Sequence, residues 1–75
     1  MTTVTLYGGD SCPACDAAKK YLGALDIEFT FVNIRESAET TKLFLEKFNV
    51  RSIPVLETDK GYFVGFSPKE YQKIL

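Results

Sequence analysis

The only two cysteines of the chain, Cys12 and Cys15, stand three positions apart, and that spacing removes the usual way of holding so short a chain together. A disulfide-stapled miniprotein spreads several bridges across distant loops; Cys12 and Cys15 can bridge only one another. With 75 residues, the fold must rest on a core, and a chain of this length hides only roughly 60% of the surface it exposes when unfolded. The composition permits one: 45% hydrophobic, 13% aromatic and 25% charged residues are too apolar for a disordered tail. No repeat, low-complexity tract or linker interrupts the chain, so a single domain over residues 1–75 is expected.

The same residues exclude several classes of function. Nine basic against ten acidic residues give a net charge of -1, which argues against a nucleic-acid partner. No stretch approaches the roughly 18–20 apolar residues of a membrane span. Met1-Thr2-Thr3-Val4 lacks the basic start and apolar core of a secretory signal, so a cytoplasmic protein with no membrane partner is expected. The chain has no histidine; no imidazole can activate a nucleophile or hold a metal. Two cysteines are too few for a four-cysteine zinc site within one chain. What remains for the sulfurs is thiol–disulfide chemistry, or a metal shared between chains.

Periodicity predicts the order β-α-β-α-β-β-α. Thr3 to Tyr7 alternates apolar and polar residues and runs into Gly8-Gly9, a strand entering a tight loop. Pro13 stands where helices favour proline, at the first helical position. Behind it Cys15, Ala18, Leu22 and Leu25 form an apolar stripe ending near Gly23 to Asp26, with Lys19 and Lys20 beside it as a solvated face. Glu28 to Ile34 is the second strand, rich in aromatic and β-branched residues. Ser37 caps a second helix whose buried face is Thr41, Phe44, Leu45 and Phe48, with Asn49 at its end. Ile53 to Leu56 is the third strand, Thr58-Asp59-Lys60-Gly61 a hairpin turn with Gly61 free to take positive φ, and Tyr62 to Val64 the fourth strand. Ser67-Pro68-Lys69-Glu70 reads as a capping box opening a last helix with Tyr71, Ile74 and Leu75 on one side. The first two strands, joined through a helix, should be parallel and the last two an antiparallel hairpin, giving a small mixed sheet with helices on both faces.

In this order Cys12-Pro13-Ala14-Cys15 falls where a strand gives way to a helix. Cys12 takes the N-cap, where free backbone N–H groups and the helix dipole favour a thiolate. A free cysteine of pKa about 8.5 is only a few per cent ionised at neutral pH, and lowering it to about 7 ionises half. One helical turn brings the second sulfur back to the first. Cys12, at the tip and more exposed, would attack a substrate disulfide, and Cys15 would resolve the mixed disulfide. Two other readings stay open. Two chains pooling Cys12 and Cys15 could hold a metal or iron–sulfur centre, or the cysteines could be small buried residues of an interaction module.

The chain resembles the glutaredoxin family of the thioredoxin fold over essentially its whole length. The resemblance rests on Leu6-Tyr7, Cys12-Pro13-Ala14-Cys15, Arg51-Ser52-Ile53-Pro54-Val55 and Gly65-Phe66, which follow one another in family order and spacing. It implies a four-stranded mixed sheet with three helices, a cis proline at Pro54 facing the cysteines, and backbone at Ile53 pairing with an extended substrate. A proline opening a strand is otherwise an edge device, since it removes a ladder donor. No bound cofactor is implied; reducing equivalents come from glutathione or from NADPH through thioredoxin reductase. Between those branches, Ala14 replaces the tyrosine usual in glutaredoxins, Gly9 and Asp10 stand where a basic residue is common, and Asp10 would repel an anionic tripeptide. Gly65-Phe66-Ser67-Pro68 instead resembles the Gly-Phe-x-Pro of NrdH-redoxins, hydrogen donors to ribonucleotide reductase, and Val32-Asn33-Ile34 fits that branch. Pro13-Ala14 departs from it, a mixture that a phage-type small glutaredoxin would explain. The balance favours an NrdH-like monomer acting on protein disulfides. Tyr7, Pro13, Ala14, Ser52, Ile53, Pro54, Gly65, Phe66 and Ser67 are the candidate partner-binding residues around the catalytic pair. For Tyr7 and Phe66, filling the core is a close rival. Glu57, Asp59 and Lys60 read as a soluble hairpin tip, and Asp16 as an exposed helix residue.

Overall fold

The computed structural model describes residues 3–75. The elements are β1 (Thr5–Gly8), α1 (Pro13–Ala24), β2 (Thr30–Asn33), α2 (Ala38–Phe48), β3 (Val55–Thr58), β4 (Gly61–Val64) and α3 (Pro68–Ile74), in the predicted order. They form one four-stranded sheet ordered β2-β1-β3-β4. β1 runs parallel to β2, with Leu6 opposite Phe31, and antiparallel to β3, with Leu6 opposite Leu56. β3 and β4 form the antiparallel hairpin.

Strand alternation sorts the apolar residues into two layers. On one side Val4, Leu6 and Leu56 pack with Ala18 and Leu22 of α1 and Tyr71 of α3. On the other, Val55 packs with Ile34 and with Phe44 and Phe48 of α2, and Tyr7 joins them at the margin. Leu6, Leu22, Leu56 and Tyr71 are all 0% exposed, so the centre of the sheet is dry on the α1–α3 side. Leu25, predicted on the buried stripe of α1, is instead 47% exposed. The helix has ended by then: Ile27 N–H donates to Leu22 and Asp26 N–H to Gly23, and Asp26 takes the left-handed φ of 56°. That pair of bonds is a Schellman closure. Asp26 takes the left-handed position, and Gly23 stays inside the helix.

Two boundaries shift for local reasons. The third strand begins at Val55 rather than Ile53, because Pro54 has no N–H to give the ladder. The hairpin loop narrows to Asp59-Lys60, with Thr58 paired to Gly61, whose φ is 139°. Thr58 is consequently a buried strand end. Its hydroxyl donates to the Ile74 carbonyl at 2.6 Å and accepts from Lys60 N–H at 3.0 Å. β1 and β2 are also shorter than predicted, and Thr3 and Glu28 lie outside them.

The helix caps follow the sequence closely. Ser37 Oγ accepts from Thr40 N–H at 3.1 Å, and Asn49 closes α2 at φ 54°, ψ 35°. Ser67 Oγ accepts from Glu70 N–H at 3.4 Å. Only that half of the expected box forms, for the Glu70 carboxylate accepts from Lys73 Nζ at 3.2 Å instead.

Candidate active site

The β1–α1 loop delivers the two cysteines to one end of the sheet. Pro13 occupies the first position of α1 and Cys12 its N-cap, with extended backbone at φ -121°, ψ 100°. Cys12 and Cys15 are joined as a disulfide. Cys15 N–H donates to Cys12 Sγ at 3.1 Å, so an orphan amide of the first turn points at that sulfur. Cys12 is half-buried with Pro13 and Ala14 exposed beside it, whereas Cys15 is 0% exposed. Cys12 thus borders solvent and Cys15 belongs to the core.

Gly8 and Gly9 are both buried. Neither takes positive φ; that falls on Ser11, at 54°. The two glycines are needed for room. A Cβ on Gly8 would lie 2.9 Å from Cys15 Sγ, and one on Gly9 would lie 3.0 Å from Arg35 Cδ and 3.3 Å from Ile53 Cδ1. Through Gly9, therefore, the loop carrying the cysteines meets the segment before β3. There the Ile53–Pro54 peptide is cis and Pro54 is fully buried, while Ser52 is exposed. The backbone N–H and C=O of Ile53 make no backbone hydrogen bond among the described residues. Gly65, at φ 105°, joins the same end of the sheet: its N–H donates to the Pro54 carbonyl at 2.7 Å, and its carbonyl accepts from Tyr71 Oη at 2.7 Å.

The β1–α1 loop thus meets the segment before β3 through Gly9 and Ile53, and Gly65 joins that segment through Pro54. Other candidates are placed elsewhere or otherwise engaged. Tyr7 turns to the α2 side, its ring centroid 5.0 Å from that of Phe48 and 5.7 Å from that of Phe44. Its hydroxyl donates to Glu57 Oε1 at 2.9 Å, and Lys47 Nζ lies 3.0 Å from the same oxygen. Burial first, and then the Glu57 carboxylate, raise the Tyr7 hydroxyl above its ordinary pKa, and the bond to Glu57 raises that of Lys47. Glu57 is therefore a partly buried link between β1, α2 and β3, not part of a soluble hairpin tip. Phe66 packs edge-on against Tyr71 at 5.5 Å and Tyr21 at 5.9 Å, a core margin. Ser67 spends its hydroxyl on the α3 cap. Lys19 is not merely solvated: its Nζ lies 3.8 Å above the Phe31 ring.

Sequence reading missed Arg35. Its Nη1 donates to the Asp10 carbonyl at 3.1 Å, its N–H donates to Asn33 Oδ1 at 2.9 Å, and Asn33 Nδ2 reaches Asp10 Oδ2 at 3.5 Å. The Asp10 loop is held by the Arg35 guanidinium through its backbone carbonyl, while the Asp10 carboxylate accepts from the Asn33 amide. Beside it lies a groove of about 360 Å³ lined by Ile34, Arg35, Thr41, Leu45, Arg51 and Ile53. Only the sequence separation of Asn33 and Arg35 hinted at this clamp; nothing local predicts its contact with Asp10. Among the described residues no three of His, Cys, Asp and Glu cluster as a metal set.

Residues 4–63 match the glutaredoxin family model. A phage protein, the Gene 56 protein of Mycobacterium phage L5, is 27% identical over 73 residues, covering 96% of this chain and 71% of that protein. The glutaredoxin of Methanosarcina mazei superposes with a TM-score of 0.79 at 30% identity, over 95% of this chain and 75% of its own. The NrdH-redoxin of Escherichia coli superposes with a TM-score of 0.85 at 20% identity, over 97% and 95% of the two chains. A Cys-x-x-Cys disulfide at the head of α1 in this fold is a centre for thiol–disulfide exchange. By sequence and by architecture, the chain belongs to the glutaredoxin family.

Proposed function

We propose that the chain is a dithiol electron carrier that reduces protein disulfides, with Cys12 as nucleophile and Cys15 as resolving thiol. The observation that carries this reading is the asymmetry of the pair: a half-buried Cys12, whose Sγ receives a first-turn amide at 3.1 Å, and a fully buried Cys15 behind it. In the reduced protein the amide and the helix dipole favour the Cys12 thiolate. That thiolate attacks one sulfur of the substrate disulfide, and the other sulfur leaves as a thiolate that takes a proton from water. Cys15 gives its proton to solvent and attacks Cys12 Sγ; the bond from Cys12 to the substrate breaks, and the second substrate thiol is released. The carrier ends as the Cys12–Cys15 disulfide, two electrons poorer. The Ile53 backbone, which makes no backbone hydrogen bond, is free to pair with an extended substrate segment; Pro54, Gly65 and the exposed Ser52, Pro13 and Ala14 are the other proposed partner-binding residues. This end of the fold is the proposed partner surface.

The electron donor is thioredoxin reductase with NADPH, and the role is NrdH-like, with ribonucleotide reductase as a candidate substrate. Ala14 and Gly65-Phe66-Ser67-Pro68 support this branch, as does the structural likeness to the Escherichia coli NrdH-redoxin, a protein described as having a thioredoxin-like activity profile. A single-domain monomer in the cytoplasm, where reductases keep such a pair reduced, completes the reading. One observation favours a second reading, a glutathione-dependent glutaredoxin: the groove between Arg35 and Arg51 beside Ile53 suits the carboxylates of an anionic thiol.

Turnover of a protein disulfide is measured with NADPH and thioredoxin reductase, and separately with NADPH, glutathione and its reductase. Turnover with thioredoxin reductase, abolished by Cys12→Ser, is expected. Turnover with glutathione alone would overturn the NrdH-like branch, and wild-type rates in Cys12→Ser would overturn the oxidoreductase reading itself.

A further inference from the structure

We infer that Gly8 is a positioning residue for the resolving step, its missing side chain being the space that lets Cys15 Sγ reach Cys12; the inference rests on the redox role proposed above. Gly8 is buried at the end of β1, and its carbonyl accepts from Ile34 N–H at 2.9 Å. Its φ is not positive, so backbone freedom does not account for a glycine here. Space does. A Cβ at this position would lie 2.9 Å from Cys15 Sγ, 3.1 Å from Phe31 Cε1 and 3.3 Å from Cys15 Cβ. Ordinary contact begins at about 3.5 Å, so the sulfur is the atom most displaced.

The displacement acts unequally on the two redox states. In the disulfide, Cys15 Sγ is pinned by its bond to Cys12, and disulfides tolerate only a narrow geometry. In the dithiol that bond is absent, and the sulfur can yield by turning about its Cα–Cβ bond to another staggered position. A methyl group at position 8 therefore penalises the oxidised form and the closing attack on Cys12, while leaving the first attack by Cys12 untouched. Gly8 makes the protein a better reductant.

The test uses Gly8→Ala and the wild type, each equilibrated with reduced and oxidised dithiothreitol, reading the fraction with the Cys12–Cys15 bond. A shift of at least tenfold toward the dithiol is expected, a potential about 30 mV more positive, with Cys12 alkylation in the dithiol within about twofold of wild type and the shift retained in a Phe31→Leu background. An unshifted equilibrium, an equal loss of Cys12 reactivity, or a shift erased by Phe31→Leu would each overturn the inference. If Gly8→Ala does not fold, thermal denaturation of Cys15→Ala in the Phe31→Leu background, with and without Gly8→Ala, decides: removal of the sulfur should admit the methyl, and a variant that still fails to fold refutes the contact. The equilibrium involves no protein substrate, so a wild type that reduces no protein disulfide would sink the proposed function and leave this result standing.

Discussion

Replacing Tyr71 by phenylalanine removes one oxygen from the best-buried aromatic of the chain, and its effect should depend on pH in a calculable way. The ring is 0% exposed and lies among Phe63, Phe66 and Tyr21; Tyr71→Phe keeps that packing. What is lost is the bond to the Gly65 carbonyl, leaving an acceptor unsatisfied at a cost of about 1–2 kcal/mol at pH 7. Burial also pushes the Tyr71 hydroxyl up to about 12, against about 10 in an unfolded chain. Between those values the unfolded chain has released the proton and the folded chain still holds it. The tyrosine's contribution is therefore intact below pH 10 and drains away as pH rises to 12. At pH 11 about 1.4 kcal/mol of it is gone. Urea denaturation of the disulfide form, in which no thiol titrates, should show wild type ahead of Tyr71→Phe by about 1–2 kcal/mol at pH 7 and the gap closing by about 1.4 kcal/mol at pH 11. A gap that stays constant, or widens, from pH 7 to pH 11 refutes the burial argument.

Other outcomes follow from the same structure. Cys15→Ser should leave attack by Cys12 in place and trap the mixed disulfide, visible by mass spectrometry as a stable adduct with the substrate; wild-type release of substrate would contradict the resolving role. Leu22→Ala, at a fully buried position facing Leu6 and Leu56, should cost about 2–5 kcal/mol by denaturant titration. Asn49 closes α2 at φ 54°, so Asn49→Val should destabilise by about 1–2 kcal/mol while Asn49→Gly stays close to wild type. If glutathione does serve as reductant, Arg51→Gln should raise the KM for it with little change in kcat.

What the sequence disclosed was whatever is decided within a few residues. Cys12, Ser37, Asn49 and Ser67 each act on backbone groups three or four positions away, and Pro13 opens α1 beside Cys12. What it concealed was settled by distant partners. Glu57 looks like hairpin polarity until Tyr7, 50 positions before it, and Lys47 on α2 close on it. Thr58 looks like a turn residue until α3 offers the Ile74 carbonyl. Gly8-Gly9 reads as the start of a tight loop, but the glycines are small because Cys15, Arg35 and Ile53 crowd them. Within the candidate site, the cysteine pair and the Ile53-Pro54 segment were legible as motifs. Arg35 was not, because its contact with Asp10 exists only once β2 lies beside β1.

The central claim is that an amide-lined helix tip makes the sulfur of Cys12 a ready nucleophile. Its most direct test is the rate at which Cys12 in the reduced protein is alkylated by iodoacetamide, followed from pH 5 to pH 10 beside an unstructured peptide containing Cys-Pro-Ala-Cys. The account predicts a rate profile displaced to lower pH than the peptide's, with Cys12 modified long before Cys15. Coincident profiles, or earlier modification of Cys15, would contradict it.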